Sequence, residues 1–295
     1  MSIAFVTMTY NDDFFLNIWV NHYAKFVDRS DLHIITHGPQ PQIKDIVKGC
    51  TVLECPRDPD KNIDHQRFPF IMDYCKTLFA DYEWVIFNDV DEVLVLDPIA
   101  GDDMAAYIRT VPKKHKVISS LGLEIIHRQE HENDYDYSRP MFSQRKWVRA
   151  NGWYSKPNTT RIPLFWGPDG HGSSHGKLYL DENMYLFHMK WFDTTFHIKR
   201  YQERVKLKYK DEHGTEHFGG AGSWAWTENT YKIMTNSHLR LSEDRLGLGF
   251  NFDAERKLLR DSFGPAGPEN IERYKASFFV RGDLREIPER FVGII

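Results

Sequence analysis

The chain has 295 residues, of which 38 are Lys or Arg and 42 are Asp or Glu, for a formal net charge of −4. A balance so near neutral leaves no basic excess for wholesale nucleic-acid binding and no Lys/Arg cluster for a membrane-surface helix. The length suits one large α/β domain with an appendage, or two small domains. Cys50, Cys55 and Cys75 are odd in number and lack CxxC spacing, which argues against a disulfide framework and against a zinc site. Met1 leads almost directly into a strand-like run, with no charged leader and no apolar stretch of membrane-span length, so a soluble protein of a reducing, cytoplasmic compartment is expected.

Ile3 to Thr9 reads as the first strand, followed by the polar turn Tyr10 to Asp13. Phe14 to Phe26 places Phe15, Ile18, Trp19, His22 and Phe26 on or near one helical face, with Asp12 or Asp13 as its cap. Leu32 to Thr36 is a second strand, Pro41 to Val47 a short helix entered by proline, and Thr51 to Glu54 a third strand. A polar loop, Pro56 to Asp64, precedes a helix from about His65 to Phe79. Trp84 to Phe87 is an unbroken apolar run, the pattern of a strand buried on both faces of a parallel sheet. It ends in Asp89, Asp91 and Glu92, and a second apolar run, Val93 to Leu96, resumes behind them. This alternation predicts a mostly parallel sheet with helices on both faces, whose ligands bind beyond the carboxyl ends of the strands. Asn11 and Asp12 after the first strand and Asp89 and Asp91 after the fourth should then line one crevice. Asp89 and Asp91 project to the same side of an extended segment, which suits a hard divalent ion, Mn²⁺ or Mg²⁺, completed by substrate phosphates. The plainer alternative is an acidic strand end in solvent.

Beyond Asp97, Asp102 to Arg109 reads as a short helix and Lys116 to Ile126 as a strand pair or one long strand. His127 to Arg139 has no periodicity and reads as a loop. Lys156 to Trp166 looks like a strand. Gly167 to Gly176 is a glycine-rich turn holding Asp169, His171 and His175. Tyr185 to Trp191 is an apolar strand with His188 and Lys190 set into it, and Thr194 or Thr195 caps a helix running to about Tyr209. From Asp211 the pattern loosens into a glycine-rich, aromatic stretch suited to a lid or a packed loop. Helices are expected over Thr227 to Met234, over Asp253 to Phe263, and after Pro268. The expected organisation is a nucleotide half, 1–97, an acceptor half, 98–209, and a C-terminal lid and helical appendage, 210–295.

The segments NDDFFLNIWVNHYAKF, QRFPFIMDYC and EWVIFNDVDEVL together resemble the family 2-like glycosyltransferases of the GT-A fold, in the group with an Asn-Glu turn, a helix carrying Trp and His-Tyr, and a DVDEF strand end. The likeness spans about the first hundred residues and recurs in pieces to about Lys206. Asp12 stands where that pattern usually has Glu, Thr36, His37 and Gly38 where it often has an acidic, serine-rich turn, and Val93 where it has Phe. The resemblance implies a GT-A-like fold and a metal-dependent, inverting transfer from a nucleotide-sugar donor to a glycan or lipid-linked acceptor. It also implies a place in bacterial-type surface polysaccharide assembly, with peripheral membrane association conceivable for such a substrate.

Asp89 and Asp91 are the candidate metal ligands, joined by His188 on the strength of the resemblance and of imidazole's affinity for Mn²⁺-like ions; the other reading of His188 is a ring satisfied inside the sheet. Thr9, Asn11 and Asp12, with Gln66 and Arg67 at a helix start, are candidates for donor binding. Asp89 would serve the donor as well as the ion, and Lys156, Arg161 and Lys190 would add positive charge at the diphosphate. Asp169, with His171 next and Glu182 more weakly, is the candidate general base. A nucleotidyltransferase on a similar sheet is the alternative enzyme, although the TYNDDF turn is acidic where a triphosphate grip is glycine-rich and basic. A non-catalytic nucleotide or sugar-binding module is the third possibility.

Overall fold

The computed structural model describes residues 2–167, 170–211, 213–219, 229, 249–265, 272–274 and 284–295. Four strands, β1 (Ile3–Thr9), β2 (Leu32–His37), β3 (Thr51–Cys55) and β4 (Trp84–Phe87), lie side by side in the order β3-β2-β1-β4, all parallel. All seven residues of β1 and all four of β4 are buried, as continuous apolar runs require when both faces are covered. Strand alternation divides β1 between two cores. Ile3 and Phe5 pack with Phe15, Trp19 and Tyr23 of α1 (Asp13–Tyr23). Ala4, Val6 and Met8 pack on the other face with Phe68, Ile71 and Cys75 of α2 (Ile63–Leu78).

The second half of the chain extends this sheet with mixed pairing. It supplies β5 (Glu92–Leu96), α3 (Met104–Thr110), β6 (Val117–Ile126), β7 (Trp147–Ala150), β8 (Thr159–Thr160), β9 (Leu180–Trp191) and α4 (Thr194–Arg204). The fold is α/β, a central sheet flanked by helices. β8 runs antiparallel to both β4 and β6 and so joins the halves, while β9 pairs antiparallel with β5 and parallel with β6. α1 is anchored to β5: Leu94 N donates to Tyr23 Oη at 2.8 Å, and the His22 ring lies 2.6 Å from the Leu94 carbonyl oxygen.

Several elements differ from expectation for local reasons. The strand expected over Lys156 to Trp166 shrinks to two residues, since Pro157 and Pro163 bracket it and offer no N–H to a ladder. Pro41 to Val47 forms only a 3₁₀ turn, Pro41–Ile43. The cap of α4 is Asp193, one residue before the expected threonines, and its carboxylate accepts from Phe196 N at 2.7 Å. α4 stops at Arg204 because Lys206 to Lys210 alternates polar and apolar residues with period two; it feeds a hairpin of β10 (Lys208–Lys210) and β11 (Glu216–Phe218).

In the described part of 210–295, α5 (Asp253–Ser262) is followed by a hairpin of β12 (Phe263–Pro265) and β13 (Glu272–Tyr274), then by β14 (Leu284–Glu286). The helices expected over 227–234 and past Pro268 lie outside the described residues, apart from Asn229 and the strand β13. β14 pairs with β7 at the sheet edge, Phe291 is fully buried in the main core, and Arg290 forks onto Asp97 at 2.7 and 2.9 Å. The last residues therefore belong to the body of the fold.

Gly122 of β6 is placed where only glycine fits. A Cβ there would lie 2.4 Å from the Tyr154 carbonyl carbon and 2.6 Å from the Asn151 carbonyl oxygen, both backbone atoms. Gly122→Ala is expected to destabilise the chain by about 2 kcal/mol or more by overpacking, read by chemical denaturation; stability equal to the parent would contradict that contact.

Candidate functional site

β1 and β4 are parallel neighbours, so the turn after Thr9 and the acidic stretch after Phe87 open on the same edge of the sheet. Between them lies a cleft of about 390 Å³, closed on the far side by α4. Ten of the residues expected at the site line it: Thr9, Asn11, Asp12, Arg67, Asp89, Asp91, Lys156, His171, His188 and Lys190. Asn11 takes the left-handed conformation, φ 53°, which Asn tolerates better than most residues, and its N–H donates to Gln40 Oε1 at 2.8 Å. The Thr9 hydroxyl is buried and without a partner. Asp12 occupies the N-cap position of α1 yet makes no side-chain cap bond; its carboxylate faces α4.

Carboxylates and cations alternate across this cleft. Asp12 accepts a fork from Arg200, Nε to Oδ1 at 2.7 Å and Nη2 to Oδ2 at 2.9 Å, and Arg204 adds a contact at 3.2 Å. Arg200 Nη1 also donates to Asp91 Oδ2 at 2.7 Å, so one guanidinium joins the β1 turn to the β4 end. Asp89 accepts from Arg67 Nη1 on one oxygen and from Lys156 Nζ on the other, both at 2.8 Å. Lys156 reaches Glu92 Oε1 as well, at 2.7 Å. Burial works against the charge of Asp89, but Lys156 and Arg67 outweigh it and hold its carboxyl well below the usual aspartate range. The same contest at Asp91 is won by Arg200, with His188 and Arg204 assisting. At Glu92 burial prevails over Lys156 and pushes the carboxyl up.

The cross-strand register places His188 opposite Glu92. Its ring stacks on Tyr154 with centroids 3.9 Å apart, its Nε2 stands 3.9 Å from Asp91 Oδ2, and its Nδ1 stands 3.8 Å from Glu124 Oε1. Burial lowers its basicity. Lys190, two residues on, is pulled down to about 8 by burial. His171 Nδ1 lies 2.5 Å from the Trp153 carbonyl oxygen, an acceptor only, so Nδ1 carries the proton and Nε2 is left as the acceptor. Burial and the nearby Lys156 charge pull this imidazole down to about 3.

The expected metal set of Asp89, Asp91 and His188 is not assembled as three ligands. Both Asp89 oxygens and one of Asp91 already accept hydrogen bonds from cations, and His188 stands at 3.9 Å from that same Asp91 oxygen. Among the described residues no group of three or more His, Cys, Asp or Glu side chains is arranged to hold an ion. These donors, as arranged, do not fit a divalent ion.

Two expected donor-binding residues do not reach the cleft. Gln66 folds back over the loop before α2, accepting from Asp58 N at 2.7 Å and donating to the carbonyls of Asp58, Lys61 and Asn62. Arg161 follows β8, which runs antiparallel to β4, so each residue past Lys156 moves away from the acidic end. Its guanidinium sits 4.1 Å over the Trp84 ring and donates to the Val111 carbonyl at 2.6 Å. Arg161→Ala is therefore expected to cost about 1–2 kcal/mol of stability and leave nucleotide affinity unchanged, as thermal melts and a binding titration would show. Asp169 lies outside the described residues. Glu182 is exposed and pairs with Arg256 and Arg260 of α5. Sequence reasoning missed Arg200, Arg204 and Tyr154; the available signal for the first two was their spacing of four on α4, which sets both on one helical face.

No family model matches the chain, and no curated protein matches it. Among solved structures, the apo form of the bifunctional glycosyltransferase WbbM matches at 11% identity and a TM-score of 0.29, over 41% of this chain and 23% of that one. A mannose-1-phosphate geranyltransferase from Thermus thermophilus matches at 11% identity and 0.28, over 55% and 51%. A protein assigned as a glucose-1-phosphate thymidylyltransferase from Bacillus anthracis, solved with sucrose, matches at 13% identity and 0.28, over 85% and 98%. The chain thus spans less than a quarter of the first and about half of the second. At such TM-scores these likenesses carry no weight for the site, which stands on its own geometry. Among the described residues no helix is long and apolar enough to cross a membrane.

Proposed function

We propose that this chain transfers a glycosyl group from a nucleotide-sugar donor to a hydroxyl of a glycan or lipid-linked acceptor. The observation that carries this reading is the convergence of the Asp12 turn and the Asp89/Asp91 strand end on one cleft studded with Arg67, Lys156, Arg200 and Arg204. A departing nucleoside diphosphate develops negative charge on its β-phosphate, and fixed cations in a partly dry cleft stabilise that charge without reorganising. In this reading Thr9, whose buried hydroxyl has no partner, and Asn11, which lines the cleft beside it, bind the nucleoside end.

Inversion at the anomeric carbon needs a base on the acceptor side. His171 is too weak a proton acceptor for that task at neutral pH, since its imidazole is held near 3. Asp169 is the base in this account, and the His171 Nε2 lone pair orients the acceptor hydroxyl. Asp169→Asn is expected to lower kcat on the order of 10²-fold or more with donor affinity nearly unchanged, and His171→Ala to be milder. Equal kcat in parent and Asp169→Asn would remove Asp169 from that role.

Incubation with a panel of nucleotide sugars and sugar acceptors tests the function. Release of nucleoside diphosphate from one donor is the expected result. The second reading, nucleotidyl transfer, requires pyrophosphate from a nucleoside triphosphate and a sugar phosphate instead; neither product from any mixture would sink both.

A further inference from the structure

Resting on the glycosyl-transfer reading, we propose that Arg200 and Lys156 take the place of a divalent ion in this cleft, so that the nucleoside diphosphate departs against the chain's own cations. Three of the four carboxylate oxygens of Asp89 and Asp91 already face fixed cations. Both Asp89 oxygens accept from Arg67 and Lys156, and Asp91 Oδ2 accepts from Arg200. Neither Arg200 nor Lys156 can easily withdraw. Arg200 is forked onto Asp12, lies 4.7 Å over the Phe15 ring, and has a side chain only 8% exposed. Lys156 is held at its other contact by Glu92, and its side chain is 6% exposed. An ion set between Asp89 and Asp91 would sit against both of these cations and against Arg67 as well.

Both side chains keep donors for a ligand. A guanidinium carries five N–H groups, and Arg200 spends three of them on Asp12 and Asp91. An ammonium carries three, and Lys156 spends two, on Asp89 and Glu92. In the transfer step the bond from the anomeric carbon to the diphosphate oxygen breaks and its electron pair stays on that oxygen. The acceptor oxygen forms the new bond to the anomeric carbon, and its proton passes to the base. The charge left on the diphosphate is met by the spare N–H groups of Arg200 and Lys156, and no further co-reactant is needed.

The test begins with protein stripped by EDTA and verified metal-free by mass spectrometry. Mn²⁺ is titrated into the chain alone and followed by the EPR signal of the free aqueous ion, and nucleoside diphosphate release from the donor panel is compared in EDTA and in Mn²⁺. The expected results are an undiminished free-Mn²⁺ signal and release rates within about two-fold of each other. Stoichiometric loss of that signal, restored in Asp91→Asn, overturns the proposal. So does release that occurs only with Mn²⁺, an outcome that leaves glycosyl transfer standing. If no donor is turned over in either condition, glycosyl transfer itself fails, and the Mn²⁺ titration still decides the question of the ion.

Discussion

Arg200→Ala is expected to remove activity and a large part of the folding margin together. The guanidinium makes three charged hydrogen bonds to two carboxylates in different turns of the sheet edge, all at 2.9 Å or less. Its loss leaves Asp91 without a cation in hydrogen-bond contact and Asp12 with only the 3.2 Å bond from Arg204. Stranding a buried charge in this way costs about 3–5 kcal/mol, more than the pair gives in net stability. Turnover should fall on the order of 10²–10³-fold, the usual loss when one donor to a developing anion is deleted. Arg200→Lys keeps the charge but loses the planar fork that holds both Asp12 oxygens and Asp91 from three separate nitrogens, so it should restore part of the stability and little of the rate. Full activity in a folded Arg200→Ala protein would remove this residue from the mechanism.

Lys156→Met should show a different signature, visible in the pH dependence of stability. In the parent, Asp89 is held below its ordinary value of 3.8. A carboxyl with a depressed folded pKa stabilises the fold above the unfolded value, and that stability is lost as pH falls below it. Removing Lys156 weakens this contribution. Glu92 has the opposite sign: burial already raises its carboxyl above the ordinary 4.5, and without Lys156 it must rise further. An acid that holds its proton more tightly when folded favours the fold at low pH, and the advantage is lost as pH climbs through its folded value. The Met variant should lose about 3 kcal/mol at neutral pH, and its deficit against the parent should widen as pH rises past about 8, where the parent's Glu92 has given up its proton and the variant's has not. A deficit against the parent no larger in mild base than at neutral pH would contradict the Glu92–Lys156 coupling. Turnover should drop severely as well, since one of the two cations proposed to meet the departing diphosphate is gone.

Much of the parallel half was legible because its signals are local. The apolar runs of β1 and β4 can only be buried strands, and parallel pairing then forces Asn11, Asp12, Asp89 and Asp91 to one edge. What could not be read was which cations meet those acids. Arg200 lies 109 positions beyond Asp91, and nothing in RYQER distinguishes a helix face turned to the cleft from a solvated one. Arg161 shows the same limit from the other side. It is five residues from Lys156 in a stretch read as one strand, and only the antiparallel direction of β8 carries it to the far end of Trp84. The metal expectation followed from the spacing of Asp89 and Asp91, which tells that two carboxylates coincide and not what neutralises them.

Isothermal titration with the common nucleoside diphosphates, in the parent, Arg200→Ala and Arg161→Ala, tests the central claim most directly. The account predicts that one nucleoside diphosphate binds the parent and Arg161→Ala alike and binds folded Arg200→Ala at least about ten-fold more weakly, the worth of a lost charged hydrogen bond. Binding by none of them, or equal affinity in all three proteins, would contradict a diphosphate site built on the cations of this cleft.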